Sequence, residues 1–453
     1  MLRRFGICKI IGLSVVLSAV LAAKTGLAQT CSGTCYYVSS SSGNDANSGT
    51  SASSPWQTIG KVEANLVNLH AGDGVFFKRG DMWTESVVCL TGGMYVTRSV
   101  LCPTSLNGSA LAPITFGAYG TGAAPVIDGG GTGGADACFF ANGGPGYFSY
   151  ITIDGWECRN TLQYGIYFHD YGTPGQTGMP GIVVKNMTIH HTGPGAYSPG
   201  GTGAFDDGNY RNQLMFLDET HRSDGTQFLN NIVHDCGGHN CIQIHGDTGS
   251  PLVQRNTCYN WVHNCIDLKA VMSATVNRNT VHVPNPQGAC LYNENTDIAN
   301  DYVTFSENVC YSAPNGIECE SPGLFGKPVT CNAYNNTIYL GNQSAIVTGS
   351  CTQPVTWDVR NNILDTSSIY WFGSGCQNVT VTHWDYNDDG ASSGFVTEPP
   401  FAGAHDLDGI NPQYVNAPSD FHLQSTSPVL NSGDSSVLGV SYMGACGTSG
   451  TCP

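Results

Sequence analysis

From about residue 110 to about residue 390 the chain repeats one arrangement of apolar and polar positions. An apolar residue stands three places before an asparagine, and another stands two places after it. The units are Val183…Asn186, Phe228…Asn231…Val233, Val253…Asn256…Cys258, Val276…Asn279…Val281, Phe305…Asn308…Cys310, Ala333…Asn336…Ile338 and Val359…Asn362…Leu364. From Asn231 onward the intervals are 25, 23, 29, 28 and 26 residues. The flanking residues alternate in twos, the period of a strand, where helical repeats would show threes and fours. Asparagine is a poor strand residue. A column of asparagines therefore predicts a ladder at a corner, each amide bonded to the coil above or below. The predicted fold is all-β: a right-handed, single-stranded parallel β-helix, a solenoid with one coil per repeat.

Two near-copies 24 residues apart, His239-Asn240-Cys241-Ile242-Gln243-Ile244-His245-Gly246 and His263-Asn264-Cys265-Ile266-Asp267-Leu268-Lys269-Ala270, mark a second strand of each coil. Aligning such strands on inward residues Ile166, Ile242, Ile266, Leu291, Ile317 and Ile346 predicts two outward columns. The first reads Tyr167, Gln243, Asp267, Tyr292, Glu318, Val347; the second reads His169, His245, Lys269, Glu294, Glu320, Gly349. Six ionisable side chains thus fall on a patch a few coils tall. Outward positions of any solenoid are polar, and surface ion pairs contribute little. Only 11% of the chain is charged, however, so six such groups together are uneven. His239 and His263 fall at the preceding corner, where stacked histidines are ordinarily structural.

Composition narrows the class. Arg3, Arg4 and Lys9 lead into an apolar run, Ile10 to Ala23, and Gly26-Leu27-Ala28 resembles a cleavage site, so residues 1–28 are expected to be an export signal. About 14 apolar residues fall short of the roughly 20 a membrane span needs, and no membrane association is expected after signal removal. The remaining chain has 13 Lys and Arg against 34 Asp and Glu, which disfavours nucleic acid. The 18 cysteines left beyond Cys8 predict disulfides and a secreted, extracellular or periplasmic, protein. The local pairings expected are Cys31–Cys35, Cys89–Cys102, Cys138–Cys158, Cys351–Cys376 and Cys446–Cys452. Cys241, Cys265 and Cys290 should stack in one column, with Cys258 and Cys310 as core.

The N-terminal run Tyr37-Val38-Ser39, Gly43-Asn44-Asp45, Ser48-Gly49-Thr50 and Pro55-Trp56-Gln57-Thr58-Ile59 resembles secreted bacterial β-helix proteins of the pectate-lyase-like superfamily. So do Pro113-Ile114-Thr115-Phe116-Gly117-Ala118-Tyr119-Gly120, Pro125-Val126-Ile127-Asp128-Gly129 and the closing Asn411-Pro412-Gln413-Tyr414 to Ser427-Pro428. The resemblance implies a helix capping the open end of the solenoid. The expected boundaries are 29–110 for the first strand, cap helix and opening coils, and 111–390 for the coils, with a loop excursion at 193–224 read from the 45-residue gap between Asn186 and Asn231. Residues 391–453 close the fold.

Asp267-x-Lys269 resembles the motif of calcium-dependent β-helix lyases with a lysine base, although Leu268 and the neighbouring Glu and His depart from it. On that reading the protein is a polysaccharide lyase acting on an acidic, uronate-containing polymer by β-elimination. Lys269 would take the proton, Asp267 and Glu294 would position it or bind Ca2+, and His245 or Tyr292 would protonate the leaving oxygen. Gln243, His239, His263, Glu318, Glu320, Arg211 and Arg222 would contact substrate, the arginines as carboxylate clamps. The alternatives are a glycoside hydrolase using paired carboxylates of the same face and a non-catalytic glycan-binding or adhesin solenoid. No organic cofactor is expected, and the protein is expected to be a monomer.

Overall fold

The structure, a computed structural model, describes residues 31–453 apart from 90–97, 132–133, 194–213, 238, 262, 283–287, 297, 299–300, 324–325, 374–375 and 391–398. Its coils have three faces. The first face is a 12-stranded parallel sheet running from Cys35–Val38 to Val379–Asp385. The second begins at Met82–Trp83 and runs through Thr188–Thr192, Ile232–Cys236 and Thr257–Tyr259 to Leu407–Asp408. The third stacks Ala137–Gly143, Tyr164–Asp170, Leu214–Asp218, Ile242–His245, Ile266–Lys269, Ala289–Glu294 and Asn315–Glu320. Thr337–Thr348 and Ile363–Phe372 each serve the second and third faces in turn.

The corner between the first and second faces is one residue in the left-handed region followed by the ladder asparagine. The left-handed column includes Asn230, Arg255, Arg278, Glu307, Asn335 and Asn361, with φ between 51° and 60°. Each ladder amide then works twice. Asn279 accepts from the Asn256 backbone at 2.9 Å and side chain at 3.0 Å, and donates to Val253 O and Asn308 Oδ1, both at 3.0 Å. The same pattern holds from Asn231 through Asn362. It continues to Asn387, which the sequence reading did not include.

Asn186 is a correction. Val184 is the residue paired with Phe228, so Met187 takes the ladder position and its N–H donates to Asn231 Oδ1 at 3.0 Å. Asn186 sits one place earlier, at the left-handed corner, bonded to Asp154.

The interior is a continuous apolar column, including Phe116, Phe139, Phe168, Phe216, Ile244 and Leu268, all 0% exposed. At the N-terminal end the helix Ile59–Glu63, capped by Thr58, packs Ile59 and Val62 against that column, as a cap should. At the other end Tyr414–Asn416 and Asp420–Leu423 form a hairpin that returns along the second face, with Phe421 against Tyr311 and Tyr339.

Nine disulfides join described residues, including all five local pairs expected. Cys241 and Cys265 are stacked in register, with Cys290 continuing the column. These cysteines bond across the corner, to Cys236, Cys258 and Cys310 respectively. Cys258 and Cys310 are therefore covalent staples as well as core.

Candidate functional site

The third face brings the two outward columns together with the register read from sequence. Gln243, Asp267, Tyr292 and Glu318 are successive partners, as are His245, Lys269, Glu294 and Glu320. One strand was missed. Leu214–Asp218 lies between the strands of His169 and His245, inserting Met215 and Leu217 into the columns. Part of the segment expected as an excursion is thus a strand of this face. An insertion lacking the ladder asparagine hid it. Asp218 is fully buried there, accepting from Thr220, Ser223 and the Arg222 N–H. Arg222 is exposed in the turn beyond, and Arg211 lies outside the described residues.

Asp267 is the largest departure. It is 3% exposed, and its carboxyl accepts from Asn240 Nδ2 at 3.0 Å, Asn264 Nδ2 at 3.1 Å and Gln243 Nε2 at 3.3 Å. Burial, then the nearby Glu294 charge, pushes it up to about 7. The amides of the twin repeat also bind each other's coils, Asn264 N to Asn240 Oδ1 and Ala289 N to Asn264 Oδ1. Asp267 is therefore the polar keystone of a second corner. His239 and His263 stack at that corner, ring centroids 4.3 Å apart, with His263 Nδ1 3.1 Å from Asn264 Nδ2. Calcium does not fit the proposed ligands as they stand. Three N–H donors already converge on Asp267, and Glu294 Oε1 already meets the Lys269 ammonium at 2.6 Å. An open cage of oxygens is what the ion requires.

The chemistry concentrates one coil further on. Tyr292 Oη lies 2.9 Å from Glu320 Oε2 and 3.4 Å from Glu294 Oε2, linking carboxyls of adjacent coils. Burial, with Glu294 and Glu320 adding to it, raises the Tyr292 hydroxyl well above the usual tyrosine range. Glu318 accepts from Asn315 Nδ2 at 3.3 Å. Burial and the adjoining Glu320 push Glu318 up to about 8, and burial raises Glu320 too. Both carboxyls crowd the space over Gly349, where a Cβ would press on Glu320 Oε1 and stand 3.1 Å from Glu318 Oε1. Lys269, Glu294, Tyr292, Glu320 and Glu318 thus form one connected patch.

Toward the N-terminal end, His169 bonds Tyr167 Oη at 3.0 Å and Glu219 Oε1 at 3.2 Å. His245 lies between Leu217 and Lys269 in its column, its ring 6.0 Å from that of His221. Toward the C-terminal end the first column continues from Glu318 through Val347 to Trp371, which is 50% exposed. The sulfurs of Cys241, Cys258 and Cys265 approach within 4.8 Å of one another. They belong to the two core disulfides already described.

No family model matches the chain. A lacto-N-biosidase of Bifidobacterium longum subsp. longum is 37% identical over 91 residues, which are 20% of this chain and 5% of that protein. This chain therefore corresponds to a small part of that relative's length. Among solved structures, pectate lyase Pel9A superposes with a TM-score of 0.54 at 14% identity, covering 92% of this chain and 95% of the other. An alginate lyase from a Paenibacillus species gives 0.44 at 13% identity, covering 72% and 96%. At these identities the likeness is one of fold. The chain has the right-handed parallel β-helix fold of pectate lyase Pel9A.

Proposed function

We propose that this protein is a secreted, carbohydrate-active enzyme that hydrolyses a glycosidic bond on the third face, with Glu318 as general acid and Glu294, ion-paired to Lys269, as its partner. The observation that carries the reading is a neutral and an ion-paired carboxyl on one patch. Glu318 keeps its proton up to about pH 8 beside Glu320, while Glu294 one coil away is bound by the Lys269 ammonium. A protonated carboxyl and an ion-paired one on the same face divide acid from base or nucleophile. Glu320, joined to Glu294 through Tyr292, would hold the Glu318 proton in place. Three carboxyls against one lysine among the described residues of the patch favour a neutral glycan over a uronate polymer. Nine disulfides suit an oxidising compartment and support export.

The lyase reading rests on Lys269, placed in the second column between His245 and Glu294. Glu294 engages it at 2.6 Å, so it would have to be uncoupled before taking a proton from carbon. Product analysis on a panel of neutral and acidic polysaccharides separates the two. Hydrolysis leaves a saturated reducing end, and Glu318→Gln should lower kcat by about 10²–10⁴ with the thermal midpoint near wild type. The basic limb of the wild-type rate profile should fall near pH 8. An unsaturated end, with Lys269→Ala inactive and Glu318→Gln active, would establish elimination instead.

A further inference from the structure

We propose that a cavity between the second face and the C-terminal hairpin is a non-catalytic binding site for a neutral glycan. The class of ligand rests on the reading of the protein as carbohydrate-active; the cavity itself does not. Its volume is about 330 Å3, at the lower end of the roughly 300–1,000 Å3 of small-molecule sites. Its floor is the strand pair Thr280–His282 and Val309–Tyr311, with Thr280 beside Val309 and His282 beside Tyr311. Its roof is the hairpin, which contributes Ser419, Asp420, Phe421 and His422.

The lining combines apolar surface with a few placed polar groups, the composition that holds a small polar ring by its C–H faces and its hydroxyls. Val309 and Phe421 supply the apolar part. The Tyr311 ring is stacked on His282 at 4.7 Å between centroids and leans on Phe421 at 5.6 Å, so what it gives a ligand is its hydroxyl. Burial raises that hydroxyl above the usual tyrosine range, which keeps it neutral, a donor and an acceptor together. Thr280 and Ser419 add hydroxyls of the same kind. Asp420 Oδ1 takes both contacts from His422, the backbone N–H at 2.9 Å and Nδ1 at 2.7 Å. The second oxygen of that carboxylate is left to accept from a ligand hydroxyl, the stronger kind of hydrogen bond.

Charge decides the kind of glycan. No lysine or arginine lines the cavity among the described residues. Its one acidic and one basic side chain, Asp420 and His422, are paired with each other. A uronate polymer would meet the Asp420 carboxylate with no cation to offset it. A neutral sugar meets only hydroxyls, a carboxylate oxygen and apolar surface.

The cavity belongs to the coils of the catalytic patch. Along the chain Thr280–His282 precedes Ala289–Glu294, and Val309–Tyr311 precedes Asn315–Glu320. The Cys290–Cys310 disulfide ties the two faces together there. A glycan held in the cavity is therefore anchored on the coils that carry Glu294 and Glu318, one face away from them. The columns of its floor continue to Thr257 and Tyr259 on the preceding coil. A second contact of this kind keeps an enzyme on its polymer between cleavages, by raising the effective concentration of bonds at the catalytic face.

The test is affinity electrophoresis of the disulfide-bonded protein through native gels containing xylan, a β-glucan or a galactan, with polygalacturonate as the anionic case. Retardation by at least one neutral polymer, and none by polygalacturonate, is expected. Asp420→Ala and Thr280→Arg, the second filling the cavity, should each weaken that retardation by more than about tenfold in apparent Kd. The Asp420 side chain is 39% exposed, so Asp420→Ala should keep the parent's thermal midpoint even if Thr280→Arg fails to fold. Glu318→Gln should be retarded as the parent is, because Glu318 stands on the third face. Turnover that survives Glu318→Gln would sink the hydrolase reading and leave this site untouched. Retardation of Asp420→Ala equal to the parent's, retardation by polygalacturonate, or none by any neutral polymer overturns the proposal.

Discussion

At the residue scale, the fold depends on amides that have no freedom to be anything else. Asn279 satisfies two donors of Asn256 and gives its own two protons to Val253 O and Asn308 Oδ1, all inside a 0% exposed corner. Leaving buried donors and acceptors without partners costs more than the net worth of the bonds themselves. Asn279→Ala should therefore lower unfolding free energy by about 1–3 kcal/mol, measured by denaturant titration, with the slope of the transition unchanged. A loss within error of zero would mean that the ladder is ornamental. Asp267 follows the same logic in a different role: three amides converge on it, so it holds a corner rather than a cation.

At the element scale, parallel stacking brings residues far apart in sequence into one continuous face. Strands are about 4.8 Å apart, so Trp371, two coils beyond Glu318, stands about 10 Å along the face. A half-exposed indole there offers an apolar surface on which a sugar ring can rest. Trp371→Ala should raise KM on long substrates with kcat unchanged, the mark of lost uniform binding. It should leave cleavage of the shortest substrates unaffected. An equal effect on both lengths would remove Trp371 from the cleft. The missed strand Leu214–Asp218 also belongs to this scale: its place in the stack came from pairing with Ile166 and Ile242 and not from its own pattern.

At the scale of the whole molecule, buried acids tie stability to pH. Burial raises Asp301 and Asp388 to about 8, Asp267 and Asp170 to about 7, and Asp247 to about 6. Each is protonated in the folded chain at pH values where the unfolded chain has ionised it. Folding then takes up protons, so stability is fullest below the ordinary carboxylate range near 4 and is lost as pH rises toward 8. The thermal midpoint should climb as pH falls from 8 to 5. Asp388, fully buried with Asp389, Asp365 and Asp408 nearby, is the sharpest probe. Asp388→Asn should flatten that climb and raise the midpoint at pH 8; a curve parallel to wild type would refute the assignment.

What the sequence by itself determined is the solenoid, because a period of two inside a period near 26 leaves few other ways to bury the apolar positions. It determined the ladder from Asn231 to Asn362, the outward columns through His245, Lys269, Glu294 and Glu320, and five local disulfides. Only the tertiary structure decided which outward residues stay accessible and which are sealed. Alternation tells the side of the strand, but not what the next corner lays over it. That is why Asp267 proved to be enclosed by Asn240 and Asn264, while Glu318, one coil past Tyr292, came to lie half-buried beside Glu320.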